Sequence, residues 1–146
     1  MNPRDDSDWA EQLIEKALVG KELVSAEMIA PGVWDFYFGE THVNVESPWR
    51  ILAQRIQLGS RDHGQKFGLP EAVDAGRKAL ELLREQAIES VAITPVSSDL
   101  RICFQGGAVL DFFNHSSGYE GWNVSNSEGQ VIALGGGELA IWTKTP

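Results

Sequence analysis

Residues 99–112, DLRICFQGGAVLDF, leave the chain few choices. Leu100, Ile102 and Phe104 alternate with Arg101 and Cys103, Gly106-Gly107 follows as a two-residue hairpin signal, and Ala108, Leu110 and Phe112 resume the apolar face. A period of two puts the apolar residues on one side of a pleated ribbon, so the segment predicts an antiparallel hairpin with one buried face. A polar, glycine-bearing stretch comes next, NHSSGYEG, and it ends on Trp122.

A weaker copy of the pattern starts at Asp35. Trp34, Phe36 and Phe38 share one face against Asp35 and Tyr37, Gly39-Glu40 turns the chain, and Val43 and Val45 alternate with His42, Asn44 and Glu46. Leu23 to Ala30 also has period two and turns at Pro31-Gly32, so three strands form a meander that Pro48 ends. Trp49–Leu52 and Arg55–Leu58 are expected to extend the same sheet. In the later half, Ile88–Thr94, Trp122–Val124, Val131–Leu134 and Leu139–Trp142 read as strands, with turns at Pro95–Ser98, Ser125–Gly129 and Gly135-Gly136-Gly137.

A helical period precedes each set of strands. Asp8 followed by Glu11 fits a capping box; Trp9, Leu13, Ile14, Ala17 and Leu18 then recur on one face, and Gly20 closes the helix. The second helix is expected from Pro70, in the first turn, with Val73, Gly76, Ala79, Leu80 and Leu83 inward. Gly76 weakens it by roughly 1 kcal/mol relative to alanine and suits close packing on a sheet. The intervening GSRDHGQKFG, residues 59–68, has no apolar period and reads as a loop.

Placing Leu18 on Leu83 brings Leu23 onto Ile88, Ser25 onto Ser90, Ala26 onto Val91 and Met28 onto Ile93. One residue dropped in the turn then puts Asp35 on Asp99, Phe36 on Leu100 and Phe38 on Ile102. Trp49-Arg50-Ile51 matches Trp122-Asn123-Val124, and Ile56–Gly59 matches Ile132–Gly135. The expected class is therefore α+β: a tandem pseudo-repeat of a helix followed by an antiparallel β-meander, with sheets packed or fused and helices on one face. Its halves cover about 8–60 and 70–142 and are related by a pseudo-two-fold, within one domain spanning residues 1–146. The copies differ in their loops, ESPWR in the first against the inserted NHSSGYEG in the second, and that is where function is expected.

The formal net charge of -9 disfavours nucleic acid, which is bound through a surplus of Lys and Arg, and attracts basic partners; solubility is the plainer reason for it. Cys103 is the single cysteine, so no internal disulfide or multi-cysteine metal site can form, and it reads as a small strand side chain. MNPRDDSDW has no basic segment followed by an apolar run, and no apolar stretch has membrane-spanning length. The expectation is a cytoplasmic protein starting near Met1 with no membrane partner, for which the acceptor patterns at Asn114 and Asn123 carry no meaning.

Among candidate sites, His42, His63 and His115 share no metal-ligand spacing. Asp62-His63 is the one pair resembling an acid/base element, with solvated loop residues as the alternative. The glycine triplet lacks the lysine and helix of a phosphate loop, and Ser116 and Ser117 lack a nucleophile elbow. No catalytic, cofactor-binding or metal-binding residue is predicted. His115, Ser117, Tyr119, Glu120, Asp62 and His63 remain as candidate partner contacts, the aromatic ring offering rigid area and the carboxylates suiting a basic protein. Trp122, whose counterpart is Trp49, reads as core.

The paired ESPWR and SSGYEGW segments, the acidic balance and the absence of a catalytic motif resemble a small uncharacterised bacterial domain family of this length, over nearly the whole chain. Members of such families are suspected to be immunity proteins of contact-dependent or polymorphic toxin systems. The resemblance implies a cofactor-free, non-enzymatic cytoplasmic protein that occludes the active site of a cognate toxin, and it carries over no functional residue. Two alternatives stand beside it. One is an enzyme or small-ligand domain using the Asp62/His63 loop, which predicts a concave pocket there; the other is a housekeeping interaction module that self-associates through an exposed sheet edge.

Overall fold

The computed structural model describes residues 3–144. The expected start at Met1 lies outside them. The chain runs α1 (Pro3–Leu18), β1 (Ser25–Ala30), β2 (Val33–Phe38), β3 (Thr41–Val45), β4 (Trp49–Ala53), β5 (Arg55–Gly59), α2 (Ala75–Leu82), β6 (Ile88–Ile93), β7 (Leu100–Phe104), β8 (Val109–Phe112), β9 (Trp122–Asn126), β10 (Gly129–Ala133) and β11 (Leu139–Thr143). A six-stranded antiparallel sheet has the order β1-β2-β3-β9-β10-β11, and a five-stranded one the order β5-β4-β8-β7-β6. The expected α+β class, with a helix ahead of each meander and the sheets packed together, is present.

The two halves are exchanged rather than side by side. Each contributes three strands to one sheet and sends the next two across to the other, so β4 pairs with β8 as β9 pairs with β3. The sequence expectation that β4 and β5 extend the first sheet is thereby corrected. Residues 46–48 give the chain its crossing point: Ser47 donates its hydroxyl to the Gly121 carbonyl (3.1 Å), and Pro48 ends β3. The helices exchange partners as well. α1 packs on β6 and reaches β10 and β11, whereas α2 packs on β1 and reaches β5, so each covers one open side of the paired sheets and the two lie at opposite sides.

Strand registers set the repeat. Val45 opposes Trp122 in the large sheet as Phe112 opposes Trp49 in the small one, and Trp34 opposes Val45 as Leu100 opposes Phe112. Trp34 is thus the counterpart of Leu100, and Asp35 that of Arg101. The alignment of Phe36 with Leu100 is two residues out of step, a slip that period-two alternation conceals because it keeps every side chain on its face. In β5, Leu58 opposes Ile51 as Val131 opposes Val124, so Leu58 corresponds to Val131 and not to Leu134, which begins the turn into β11.

Inward faces of both sheets make one core. Trp34 meets Trp49 edge-on (centroids 5.0 Å) and Phe36 meets Phe112 at 5.0 Å, joining the sheets through rings that are fully or almost fully buried. Burying a large apolar side chain contributes about 1.5–3 kcal/mol, so this aromatic layer is a main source of cohesion. On α1, Ala10, Ile14 and Leu18 are fully buried at four-residue spacing, while Trp9, expected inward, is 42% exposed at the edge of the stripe. Asp8 lies inside α1, which begins five residues before it at Pro3; Glu11 is therefore free of a capping role and accepts the Ile93 N–H instead (3.2 Å). α2 also departs from expectation. It begins at Ala75 because Asp74 caps it through the Arg77 N–H (3.1 Å), while Gly64 and Gln65 hydrogen-bond Val73 and hold the segment after Pro70 outside the helix. Gly20, in the left-handed region, closes α1 as expected.

Candidate functional site

The inserted stretch between β8 and β9 is held by a buried anchor. Asn114, 8% exposed, donates its side-chain amide to the carbonyls of Ser97 and Leu134 (both 3.0 Å), and its backbone N–H goes to Asp99 Oδ1 (2.8 Å). One asparagine thus ties three loops together at the end of β8. Farther out, Ser116 Oγ accepts the N–H groups of Gly118 (3.1 Å) and Tyr119 (2.9 Å), a serine turn that fixes the loop tip locally. Ser116 O accepts the Gly136 N–H (2.8 Å), and Gly121 returns to the sheet through Ala133 O (3.0 Å).

The glycine triplet is the seat for this loop. A Cβ on Gly135 would lie 2.5 Å from Gly118 backbone atoms, and one on Gly137 would overlap the Val96 carbonyl. Ser98 Oγ donates to Gly137 O (2.5 Å), and Trp122, buried as expected, donates its indole N–H to Ser98 O (2.9 Å). Only residues without side chains let three backbones approach this closely, so the triplet is explained by packing.

On this base His115, Ser117, Tyr119 and Glu120 are all exposed, Tyr119 by 82%. With Glu46 they border an open hollow of about 570 Å³. Glu46 comes from the first half: its N–H donates to Gly121 O (2.8 Å), which brings its carboxylate to the same rim as Glu120. Sequence reasoning missed Glu46, because only the exchange of β4 and β9 between sheets brings the two crossing segments together.

The Asp62-His63 pair does not come together with this loop in any hydrogen bond, ion pair or ring contact among the described residues. Asp62 Oδ2 accepts the Gly59 N–H (2.9 Å), ending β5. His63 Nδ1 accepts the Ala75 N–H at the start of α2 (3.1 Å), which places its ring proton on Nε2, and the ring stands edge-on to Trp34 (5.1 Å). Both side chains are half-buried and point to separate partners. A shallow depression of about 420 Å³ borders His63 beside Asp74, Arg77 and Met28, and Asp62 is not part of it.

Two further polar clusters occupy the outer faces of the sheets at equivalent positions. In the large sheet, Asp35 Oδ1 meets His42 Nε2 (2.7 Å) and Asn44 Nδ2 (2.8 Å), with Tyr37 stacked on His42 at 4.6 Å. In the small sheet the counterparts of Asp35 and Asn44 are Arg101 and Asp111. Arg101 binds the buried Asp111 carboxylate through Nε (2.8 Å) and Nη2 (3.0 Å), and Arg50 joins through Nε (3.3 Å) with its guanidinium over the Phe113 ring. The hydrogen bonds to Asp111 push the Arg101 pKa above its already high ordinary value, against a smaller opposing effect of burial. Both clusters were absent from the sequence reading, since opposition across strands, not spacing along the chain, creates them.

Cys103 is half-buried on the outer face of the small sheet, across from Ser90 and Val109. Among the described residues no three His, Cys, Asp or Glu side chains are grouped to hold a metal ion, and no helix is long and apolar enough to cross a membrane. Set against known proteins, the chain matches no family model, no curated protein and no solved structure.

Proposed function

We propose that this chain is an immunity protein that binds a cognate bacterial toxin in the cytoplasm and covers its active site through the loop between β8 and β9. The observation that carries the reading is the pairing of a braced loop base with an exposed tip. Asn114, Ser116 and the glycine seat fix the backbone, while Tyr119 stands out of it and borders the same hollow as Glu120 and Glu46. A rigid aromatic ring is the side chain best suited to anchor an interface at low entropic cost, and flanking acids favour the lysines or arginines of a basic partner. The net charge of -9 adds a field that speeds such an encounter. The insertion has no counterpart in the first half, so it is not needed to complete the repeated scaffold.

The sequence resemblance to suspected immunity proteins agrees with this use of the loop. Asp62 and His63, by contrast, are occupied in ending β5 and starting α2, and no specific observation favours catalysis there.

Co-expression with the toxin encoded beside it is the test. The expected result is rescue of growth and co-purification of the two chains, with Y119A combined with E120K losing both. Continued toxicity with no complex overturns the reading.

A further inference from the structure

We infer that the cleft between α1 and the inner face of β9, β10 and β11 binds a free α-amino acid with an apolar side chain, held as its zwitterion. The inference stands apart from the proposed toxin-binding loop.

Two small residues leave the space. Along α1, Ala10, Ile14 and Leu18 meet the core, and Trp9, Leu13 and Ala17 form the flank beside β9 and β10. Ala17 on the helix and Gly129 on β10 contribute almost no side chain. Glycine is required at 129, because a Cβ there would overlap the Trp142 carbonyl. What remains is a cleft of about 370 Å³, within the range of small-molecule sites, with Leu13, Ile14, Val124 and Val131 as its apolar lining. The helix cannot settle into it. Glu11 accepts the Ile93 N–H (3.2 Å) and the Ala17 carbonyl accepts the Thr41 hydroxyl (2.8 Å), which ties α1 to β6 and β3 and keeps the cleft open before any ligand enters.

Charge at the rim identifies the occupant. Of the described residues that border the cleft only two are charged, Lys16 in the last turn of α1 and Glu128 in the turn between β9 and β10. Glu128 is fixed through its backbone: its N–H donates to Asn126 Oδ1 (2.9 Å) and its carbonyl accepts the Lys144 N–H (2.8 Å). Its carboxylate and the Lys16 ammonium nevertheless enter no ion pair, with each other or with any other described residue. The cleft thus offers one free charge of each sign, the cation on the helix side and the anion on the sheet side, around an apolar lining.

The complement of that arrangement carries a carboxylate, an ammonium and an apolar group on one small frame, which is a free α-amino acid. Lys16 receives the carboxylate, Glu128 receives the ammonium, and the side chain enters among Leu13, Ile14, Val124 and Val131. Trp9, 42% exposed at the edge of the cleft, gains cover from an apolar neighbour. A purely apolar ligand leaves both charges unused, and a simple anion or cation meets a like charge at the other group. A molecule of this size whose atoms each contribute at the ordinary level has a dissociation constant of about 1 mM, so the site answers to an abundant metabolite rather than a trace signal.

Titration of the full chain with L-phenylalanine and L-leucine to about ten times that concentration, followed by amide and methyl NMR, tests this. Shifts should gather at Leu13, Val124 and Val131. N-acetyl-L-phenylalanine and L-phenylalanine amide, which lack one charge each, should bind more weakly by about threefold or more, and so should both amino acids to K16Q or E128Q. Losses that concern one contact should not add: K16Q should no longer distinguish the amide from the free amino acid, and E128Q should no longer distinguish the N-acetyl form. A17L should fill the cleft and abolish binding, with its melting curve as the check on folding. No shift at the cleft, derivatives that bind as tightly as the free amino acids, or charge variants that bind as tightly as wild type overturn the inference. So does binding that survives in A17L.

Discussion

Gly76 of α2 rests directly on the carbonyl of Ala26 in β1, with the Trp34 ring beside it, and a Cβ at position 76 would occupy the space of that oxygen. Helix propensity alone favours alanine at such a position by about 1 kcal/mol. The contact reverses the sign, because neither a strand carbonyl nor a packed helix can yield cheaply. G76A is expected to destabilise the protein by about 2–4 kcal/mol, measured as a lower urea midpoint with an unchanged slope. A variant as stable as wild type would show that α2 can slide away from β1.

Trp49 and Trp122 occupy equivalent places and are equally buried, yet only Trp122 has a partner for its indole N–H; that of Trp49 has none among the described residues. The turn before β7 supplies the Ser98 carbonyl, whereas the shorter Pro31-Gly32 turn offers no counterpart. W122F should therefore cost about 1–2 kcal/mol more than W49F, since it strands a buried acceptor while W49F removes a donor that was already unpaired. Paired denaturation curves decide it, and equal losses would refute the assignment.

Asp111 neutralises two arginines that are each partly solvent-exposed. D111N should lose about 1–2 kcal/mol, a figure already reduced for screening at the exposed guanidinium groups. The pKa of Arg101 is raised on folding, so its contribution is fully present below the ordinary arginine value and is lost only as pH climbs through the higher one. Arg101 should thus add no pH dependence between about pH 6 and 10, and urea titrations of wild type at those two limits check this.

Ser116, half-buried at the border of the hollow, controls order at the tip of the β8–β9 loop. S116A removes the acceptor for two N–H groups and should raise hydrogen exchange at Gly118 and Tyr119 by about fivefold or more while leaving global stability within about 0.5 kcal/mol. Y119A, at an exposed position, should leave both readouts unchanged and affect binding alone.

Local structure was legible in the sequence wherever one period dominated. Leu100, Ile102, Phe104, Leu110 and Phe112 are all buried on one face as their alternation implied, and the loop after them is the exposed insertion. Partner choice was not legible. Nothing within Trp49–Leu58 distinguishes pairing with β3 from pairing with β8, because the same half-buried strand satisfies either edge. Capping signals misled at both helices for one reason: Asp8-x-x-Glu11 is equally compatible with a helix interior, and Pro70 is equally compatible with a loop. At the candidate site, Tyr119 and Glu120 could be found from asymmetry between the copies, whereas Glu46 required the strand exchange.

That exchange has a consequence for synthesis. Ala10, Ile14 and Leu18 leave the ribosome early, but β6, the strand on which α1 packs, begins about 70 residues later. At 5–20 residues per second the apolar stripe of α1 waits roughly 4 to 14 s for its seat, and β4, which ends at Ala53, waits for β8, which begins only at Val109. The emerging first half can therefore offer no finished domain to a protease or a chaperone. It becomes resistant only when the second half arrives to be folded with it.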